Sequence, residues 1–314
     1  MRLLTLKTRC YNADYITNFF RYLWEREQPT TALSFFNFGL SLGIDRSGPM
    51  CNPAVRLLGH IALDLSQPRA ALEAYKETLT ARLKHSDPNS PLIADVYDSI
   101  ACAYTEIGDV SEAFAYLDKA KAIHLANDPS RMGRTSAIYA MTYLRARQPD
   151  QALKAIEKCW ELQGLTEEQI AASRYPKHSG DIVLLARIYH AQGNSEAALQ
   201  LASKSITIRK GILGSKGPRV ADSMFLVANI LREGGKQALA TKLLRDIIDM
   251  SEGMVEMGGH LARALWTLGT IEENREAEKL KQKAKEIRQT IEGREAEDED
   301  TDEAFSKLVG WMLW

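Results

Sequence analysis

Gly108-Asp109-Val110-Ser111-Glu112-Ala113-Phe114 and Gly193-Asn194-Ser195-Glu196-Ala197-Ala198-Leu199 follow one rule. A Gly ends one helix, an Asx stands where the next helix needs a cap, and a small residue sits just inside it. Gln28-Pro29-Thr30-Thr31-Ala32-Leu33, Gln67-Pro68-Arg69-Ala70-Ala71-Leu72 and Gln148-Pro149-Asp150-Gln151-Ala152-Leu153 place a Pro at the same point. Pro is tolerated there because the first helical N–H has no intrahelical partner. Gly235-Lys236-Gln237-Ala238-Leu239-Ala240 is a sixth copy. The alanines 32, 71, 113, 152, 198 and 240 are 39, 42, 39, 46 and 42 residues apart, and Ala277 follows 37 further on. A fixed period in this range is the mark of a repeat architecture.

Each copy has the same interior. A first helix carries apolar residues at i, i+3, i+4 and i+7, as in Tyr97, Ile100, Ala101, Tyr104 and in Ile182, Leu185, Ala186, Tyr189. That spacing is one buried helical stripe. After the turn a second helix shows small residues where two axes must approach: Ala113, Leu117, Ala120; Ala152, Ile156, Cys159; Ala198, Ala202, Ser205. One such pair cannot cover its own apolar stripe, so successive pairs must stack.

Leu58-Gly59, Tyr104, Gly108-Asp109 and Ala113, then Tyr189, Gly193-Asn194 and Ala198, resemble the tetratricopeptide repeat. The period is longer than the usual about 34 residues. The stretch from Ile206 to Ala221, with Leu213-Gly214 closing a helix and Pro218-Arg219-Val220-Ala221 opening the next, resembles the kinesin-light-chain-like subclass. The resemblance covers residues 12 to 250 well and 251 to 291 weakly. It implies an all-α, right-handed superhelix of six good helix hairpins and a degenerate seventh, a solenoid over 1–291. It also implies a concave groove, lined by the first helices, that binds protein or peptide.

Composition fits that class. The chain has 314 residues, Lys plus Arg 40 against Asp plus Glu 41, and 45% hydrophobic residues. Near-zero net charge gives no global attraction for nucleic acid or an anionic membrane. No run approaches the length of a transmembrane helix. Arg2, Lys7 and Arg9 interrupt the apolar residues of the N-terminus, so no signal peptide is expected and a cytoplasmic location is. Cys10, Cys51, Cys102 and Cys159 are widely spaced, which suits free thiols and disfavours a metal site. No metal or cofactor is expected.

The two ends differ. The first hairpin is aromatic (Tyr11, Tyr15, Phe19, Phe20, Tyr22, Trp24, Phe35, Phe36, Phe38), which suits packing at an array end or, alternatively, an exposed binding patch or dimer contact. Beyond 291 an acidic linker over 292–304 is expected, because Glu295 to Glu303 is almost wholly acidic. Over 305–314 hydrophobicity returns. Phe305, Leu308, Val309, Met312 and Leu313 share a helical face, Trp311 and Trp314 accompany them, and Thr301 or Asp302 can cap the start. So short a helix is marginal alone. Phe305, Leu308, Trp311 and Trp314 are therefore predicted to anchor the segment on the end of the solenoid, in a groove of this chain or a second copy, or on another protein.

Register counted from the alanines places Arg21, Trp24, Arg56, His60, Asp98, Cys102, Met141, Arg187, His190, Phe225, Asn229 and Arg232 in the groove. Arginines among bulky apolar residues suit a partner with carboxylates and large apolar anchors. The chain's own tail has that composition. As a family, kinesin-light-chain-like repeats bind acidic peptides with a bulky anchor and are occluded by an internal acidic segment. The resemblance thus implies autoinhibition or a tail-exchanged homodimer. A second reading is an enzyme using the groove as a small-molecule pocket, with His60 beside Cys102 and Arg56 beside Asp98. No phosphate-binding Gly loop, nucleophile elbow or zinc-protease motif supports it.

Overall fold

A computed structural model describes residues 18–25, 27–41, 52–175, 178–272, 275–291 and 300–311. The architecture is an all-helical solenoid of stacked antiparallel helix pairs. The first pair is α1 (18–25) and α2 (Pro29–Ser41), followed by α3 (Asn52–Asp64) with α4 (Pro68–Leu83) and α5 (Pro91–Ile107) with α6 (Val110–Asn127). Next come α7 (Met132–Arg145) with α8 (Pro149–Glu161), a short inserted α9 (Glu167–Ala172), and α10 (Ser179–Ala191) with α11 (Ser195–Leu213). Then α12 (Pro218–Glu233) pairs with α13 (Gln237–Ser251), and α14 (Gly258–Ile271) with α15 (Arg275–Thr290). A last short helix, α16 (Asp302–Ser306), follows. The degenerate seventh copy is thus a complete hairpin. Among the described residues no helix is long and apolar enough to cross a membrane.

The turns explain the sequence repeat. Gly108, Gly193 and Gly235 have φ of +96°, +83° and +75°. Glu27, Ser66 and Arg147, which immediately precede the Gln-Pro pairs, occupy the same left-handed region at +56°, +64° and +59°. All six turns therefore reverse the chain in one way, with or without glycine. Asp109 and Asn194 then cap α6 and α11 by accepting the backbone N–H of Glu112 and Ala197. The alanines 32, 71, 113, 152, 198 and 240 are fully buried at the crossings, and Ala277 is buried as well. Gly59 has a special reason: a Cβ there would run into the ring of Tyr75, so α3 lies directly on α4.

The apolar core runs the length of the array. In the first hairpin Phe20 stacks on Phe36 at 5.2 Å, while Phe19, Tyr22 and Phe38 stay exposed. Cys102 and Cys159 are buried free thiols; Cys10 and Cys51 lie outside the described residues. The curvature brings distant hairpins together. At the turn after α1, Glu27 Oε1 accepts the backbone N–H of Arg219 at 3.1 Å and its guanidinium at 3.3 Å. The first hairpin thereby meets the start of α12, and the spiral closes on itself.

Candidate functional site

Consecutive hairpins are tied by ion pairs across the inner wall. Arg131 pairs with Asp95 at 3.2 Å, Arg145 with Glu106 at 2.7 Å and Arg187 with Asp222 at 2.8 Å. The sequence holds a register for several charged residues of this wall. Asp95, Arg134 and Asp222 stand eighteen residues before alanines 113, 152 and 240, while Asp64, Glu106 and Arg145 stand seven before alanines 71, 113 and 152. Eleven residues are about three helical turns, so both sets lie on one face.

Asp222 is the centre of this wall. It is buried, and besides Arg187 it receives Arg263 at 3.3 Å and lies 3.9 Å from Arg209. Burial alone pushes a carboxyl's pKa up; the guanidinia of Arg187, Arg263 and Arg209 outweigh it and hold Asp222 well below the carboxylate range. His260 beside them is pushed down to about 3 by burial and by Arg263, so it is neutral. Arg263 also lies over the ring of Phe225 at 3.8 Å.

The C-terminal segment lies across the mouth of the groove. Thr301 caps α16 by accepting the N–H of Ala304. Asp302 takes the Trp266 indole N–H at 2.9 Å and the Arg232 guanidinium at 3.2 Å. Phe305 stacks flat on Trp266, with centroids 4.3 Å apart and an 8° interplanar angle. Leu308 is fully buried, packed in a cluster with Leu261, Leu265 and Ala284. The hydroxyl of Ser66 donates to the Leu308 carbonyl, and Gly259 has no room for a Cβ because that same carbonyl sits on it. The Trp311 backbone N–H donates to Glu106 at 2.7 Å, and its ring lies 3.7 Å from the Arg145 guanidinium and 4.8 Å from that of Arg187. Every hairpin from the second to the seventh contributes a contact.

This differs in detail from the expectation of a ten-residue helix over 305–314. The helix starts earlier, at Asp302, and ends at Ser306. The chain then runs past Leu63 and Glu106, where the Glu106 carboxylate takes up the backbone N–H of Trp311. Residues 292–299, most of the expected linker, and Trp314 lie outside the described residues.

On the other side of this segment the groove stays open. A cavity of about 1210 Å³ is bounded by Arg21, Trp24, Arg56 and His60, by Arg82, Arg131 and Arg134, and by residues of α8, α10 and α11. A second, small cavity of about 30 Å³ lies between Glu27, Asp64, Asp222, His260 and Gly310.

The residues expected in the groove therefore divide into four groups. Arg21, Trp24, Arg56 and His60 border the open cavity. Arg187 and Arg232 hold the tail, and Phe225 supports Arg263 beside it. His190 lies 3.3 Å from Glu233, and Asn229 is half-buried on the same helix as Phe225. Asp98, Cys102 and Met141 do not face the groove. All three are buried, and Asp98 accepts from Thr135 at 3.0 Å and lies 3.8 Å from His124 of α6. Asp98 stands three residues beyond Asp95, a rotation of about 60° that turns it into the helix pair. Neither expected pairing forms: Arg56 donates to the Asp95 carbonyl oxygen, and His60 Nδ1 bonds the Tyr75 hydroxyl at 2.8 Å and stacks on Trp24. Burial pushes the Cys102 thiol up to about 12, which leaves no thiolate for nucleophilic work. Glu106, Arg134, Arg145, Asp222 and Arg263 were not anticipated; the eighteen-and-seven register would have found four of them.

The tetratricopeptide repeat model matches residues 56–130 and 182–253. Among solved structures the chain is similar to NprR in complex with its cognate peptide NprX, at 15% identity and a TM-score of 0.64, covering 94% of this chain and 86% of that one. It is similar to aspartyl phosphate phosphatase F from Bacillus subtilis, at 16% identity and a TM-score of 0.56, covering 93% and 74%. Kinesin-light-chain TPR-like repeats of Podosopora anserina match at 21% identity and a TM-score of 0.44, covering 63% and 93%. Among curated proteins none matches significantly. The two family-model matches, with the recurring turns and the stacked hairpins, show that the chain is built of tetratricopeptide repeats over residues 56–130 and 182–253.

Proposed function

We propose that the protein is a peptide-binding scaffold of the kinesin-light-chain-like kind, whose own C-terminal segment occupies the place of a partner. The observation that carries this is the seat of residues 302–311. It has a carboxylate on Arg232, an aromatic ring on Trp266, and a Trp ring against Arg145 and Arg187. An acidic residue followed by bulky apolar anchors is the pattern that such a wall selects. The solved NprR structure of similar fold is a complex with its cognate peptide, which supports a peptide ligand for this fold. A partner with the same pattern displaces the tail, in cis or from a second copy, and the tail sets the threshold for binding.

Residues 300–314, synthesised as a labelled peptide, are expected to bind protein lacking residues 293–314 and to bind the full chain at least about tenfold more weakly, because the site is already filled. Gly259→Val in the shortened protein places a side chain where the Leu308 carbonyl sits and is expected to abolish binding. Fluorescence anisotropy at low salt reads both. No binding to the shortened protein, or binding indifferent to Gly259→Val, overturns the proposal.

A further inference from the structure

We propose that the open cavity is a second ligand site, separate from the seat of the tail, and that it takes a small molecule bearing two or more adjoining phosphate groups. Three observations converge on it.

The first is charge. Seven arginines and three carboxylates line the cavity, with no lysine among the described lining residues. Arg209 and Arg219 are engaged with Asp222 and Glu27, and Arg131 with Asp95. Arg56 and Arg82 instead bond neutral acceptors: Arg56 the Asp95 carbonyl oxygen, Arg82 the Asn52 side chain and the Leu92 carbonyl oxygen. Arg134 donates to the Ser99 hydroxyl at 3.3 Å. Burial and the neighbouring guanidinia of Arg134 and Arg82 lower Arg56 to about 10 against the pull of Asp95, so these cations face one another at a cost in free energy. Such repulsion is relieved by an anion between them. Guanidinium forks match phosphate oxygens two at a time, which suits arginine rather than lysine.

The second is helix polarity. Pro53 of α3, Gly133 and Arg134 of α7, and Ser179 and Asp181 of α10 place the N-terminal turns of three helices at the cavity wall. The dipoles of these helices favour negative charge, part of which Asp181 already supplies at the start of α10.

The third is shape. Arg209 and Arg219 border both this cavity and the small one that Val309 and Gly310 line, so the two adjoin beside the tail. An arginine-lined chamber of this size fits a compact polyanion better than an extended chain. About 1210 Å³ holds such a ligand with part of its hydration shell. Because the tail sits elsewhere, both occupy the protein together.

Inorganic tripolyphosphate titrated calorimetrically into the full-length protein is expected to bind once, saturably, and more weakly as salt rises. Arg56→Gln and Arg134→Gln should each weaken it about tenfold or more, while Arg245→Gln on the outer surface should not. Without ligand, Arg56→Gln should raise Tm by about 2 °C, since it removes a repulsion and not a salt bridge. No saturable binding, or binding indifferent to both cavity substitutions, overturns the proposal. So does a hexaglutamate peptide that binds more tightly than tripolyphosphate with the same arginine dependence, which would make the chamber a carboxylate site. None of these outcomes depends on whether the tail peptide binds the shortened protein.

Discussion

Asp222 shows how much of the inner wall rests on one carboxylate. It is buried, yet fully ionised, because Arg187, Arg263 and Arg209 surround it. Those guanidinia depend on it in turn: Arg209 and Arg263 are almost wholly buried. Removing one partner of a buried ion pair costs about 3–5 kcal/mol, because the remaining charge has lost both water and counter-ion. Asp222→Asn is therefore expected to lower the denaturant midpoint by the equivalent of several kcal/mol and to loosen the Trp311 seat through Arg187. Equilibrium urea unfolding measures the first effect, and tail-peptide affinity the second. The sequence showed Asp222 only as a polar residue after a helix-opening proline. What made it central was three arginines from α10, α11 and α14, none near it in the chain.

At the scale of the element, the turn between paired helices is where local chemistry was most readable. Gly-Asx and Gln-Pro were recognised as equivalent turns, and the structure shows why they are. The residue before Gln takes the left-handed conformation that Gly takes elsewhere. For an L-residue that conformation is unfavourable by about 1–2 kcal/mol. Arg147, at φ +59°, bears that strain, and among the described residues its side chain has an exposed, 3.8 Å pairing to Glu303 in return. Arg147→Gly is expected to stabilise the protein by about 0.5–1 kcal/mol, the relief of strain exceeding the added chain entropy of glycine. A thermal melt rising by a few degrees would bear this out, and a fall would show that the turn is held by something else. The first helices were less readable. Counting from the alanines placed Asp98 in the groove, though a rotation of about 60° separates it from Asp95.

At the scale of the whole molecule, the spiral closes where Glu27 meets Arg219, and titratable groups crowd that seam. Asp64 receives the indole N–H of Trp24 and borders the same small cavity as Glu27. Burial pushes Asp64 up to about 7, against the pull of Arg219 and the Trp24 hydrogen bond; Glu27 is raised too, chiefly by burial. A carboxyl whose folded pKa is raised binds its proton more tightly in the folded state. Its contribution to stability is full below the ordinary carboxylate pKa and is lost as pH rises through about 7. The loss is on the order of 2–4 kcal/mol for Asp64. Asp64→Asn is therefore expected to gain stability over the natural protein between pH 5 and pH 8, with little difference near pH 4. Thermal melts across that range test it, and a pH-independent difference would exclude titration at the seam.

The helix pairs, their order and their stacking followed from the chain itself, because stripe spacing, capping residues and crossing alanines act over a few residues and recur at each copy. The tail was legible as a segment that needs a partner, since its apolar anchors could not rest in water. Where it rests was decided by curvature. Only the accumulated rotation of seven hairpins brings Ser66, Glu106, Arg145, Arg187, Arg232 and Trp266 to one place and leaves the arginine-lined chamber beside it. Small angles added over the whole array carry no local sequence signal, so tertiary structure alone settled which side chains share a site.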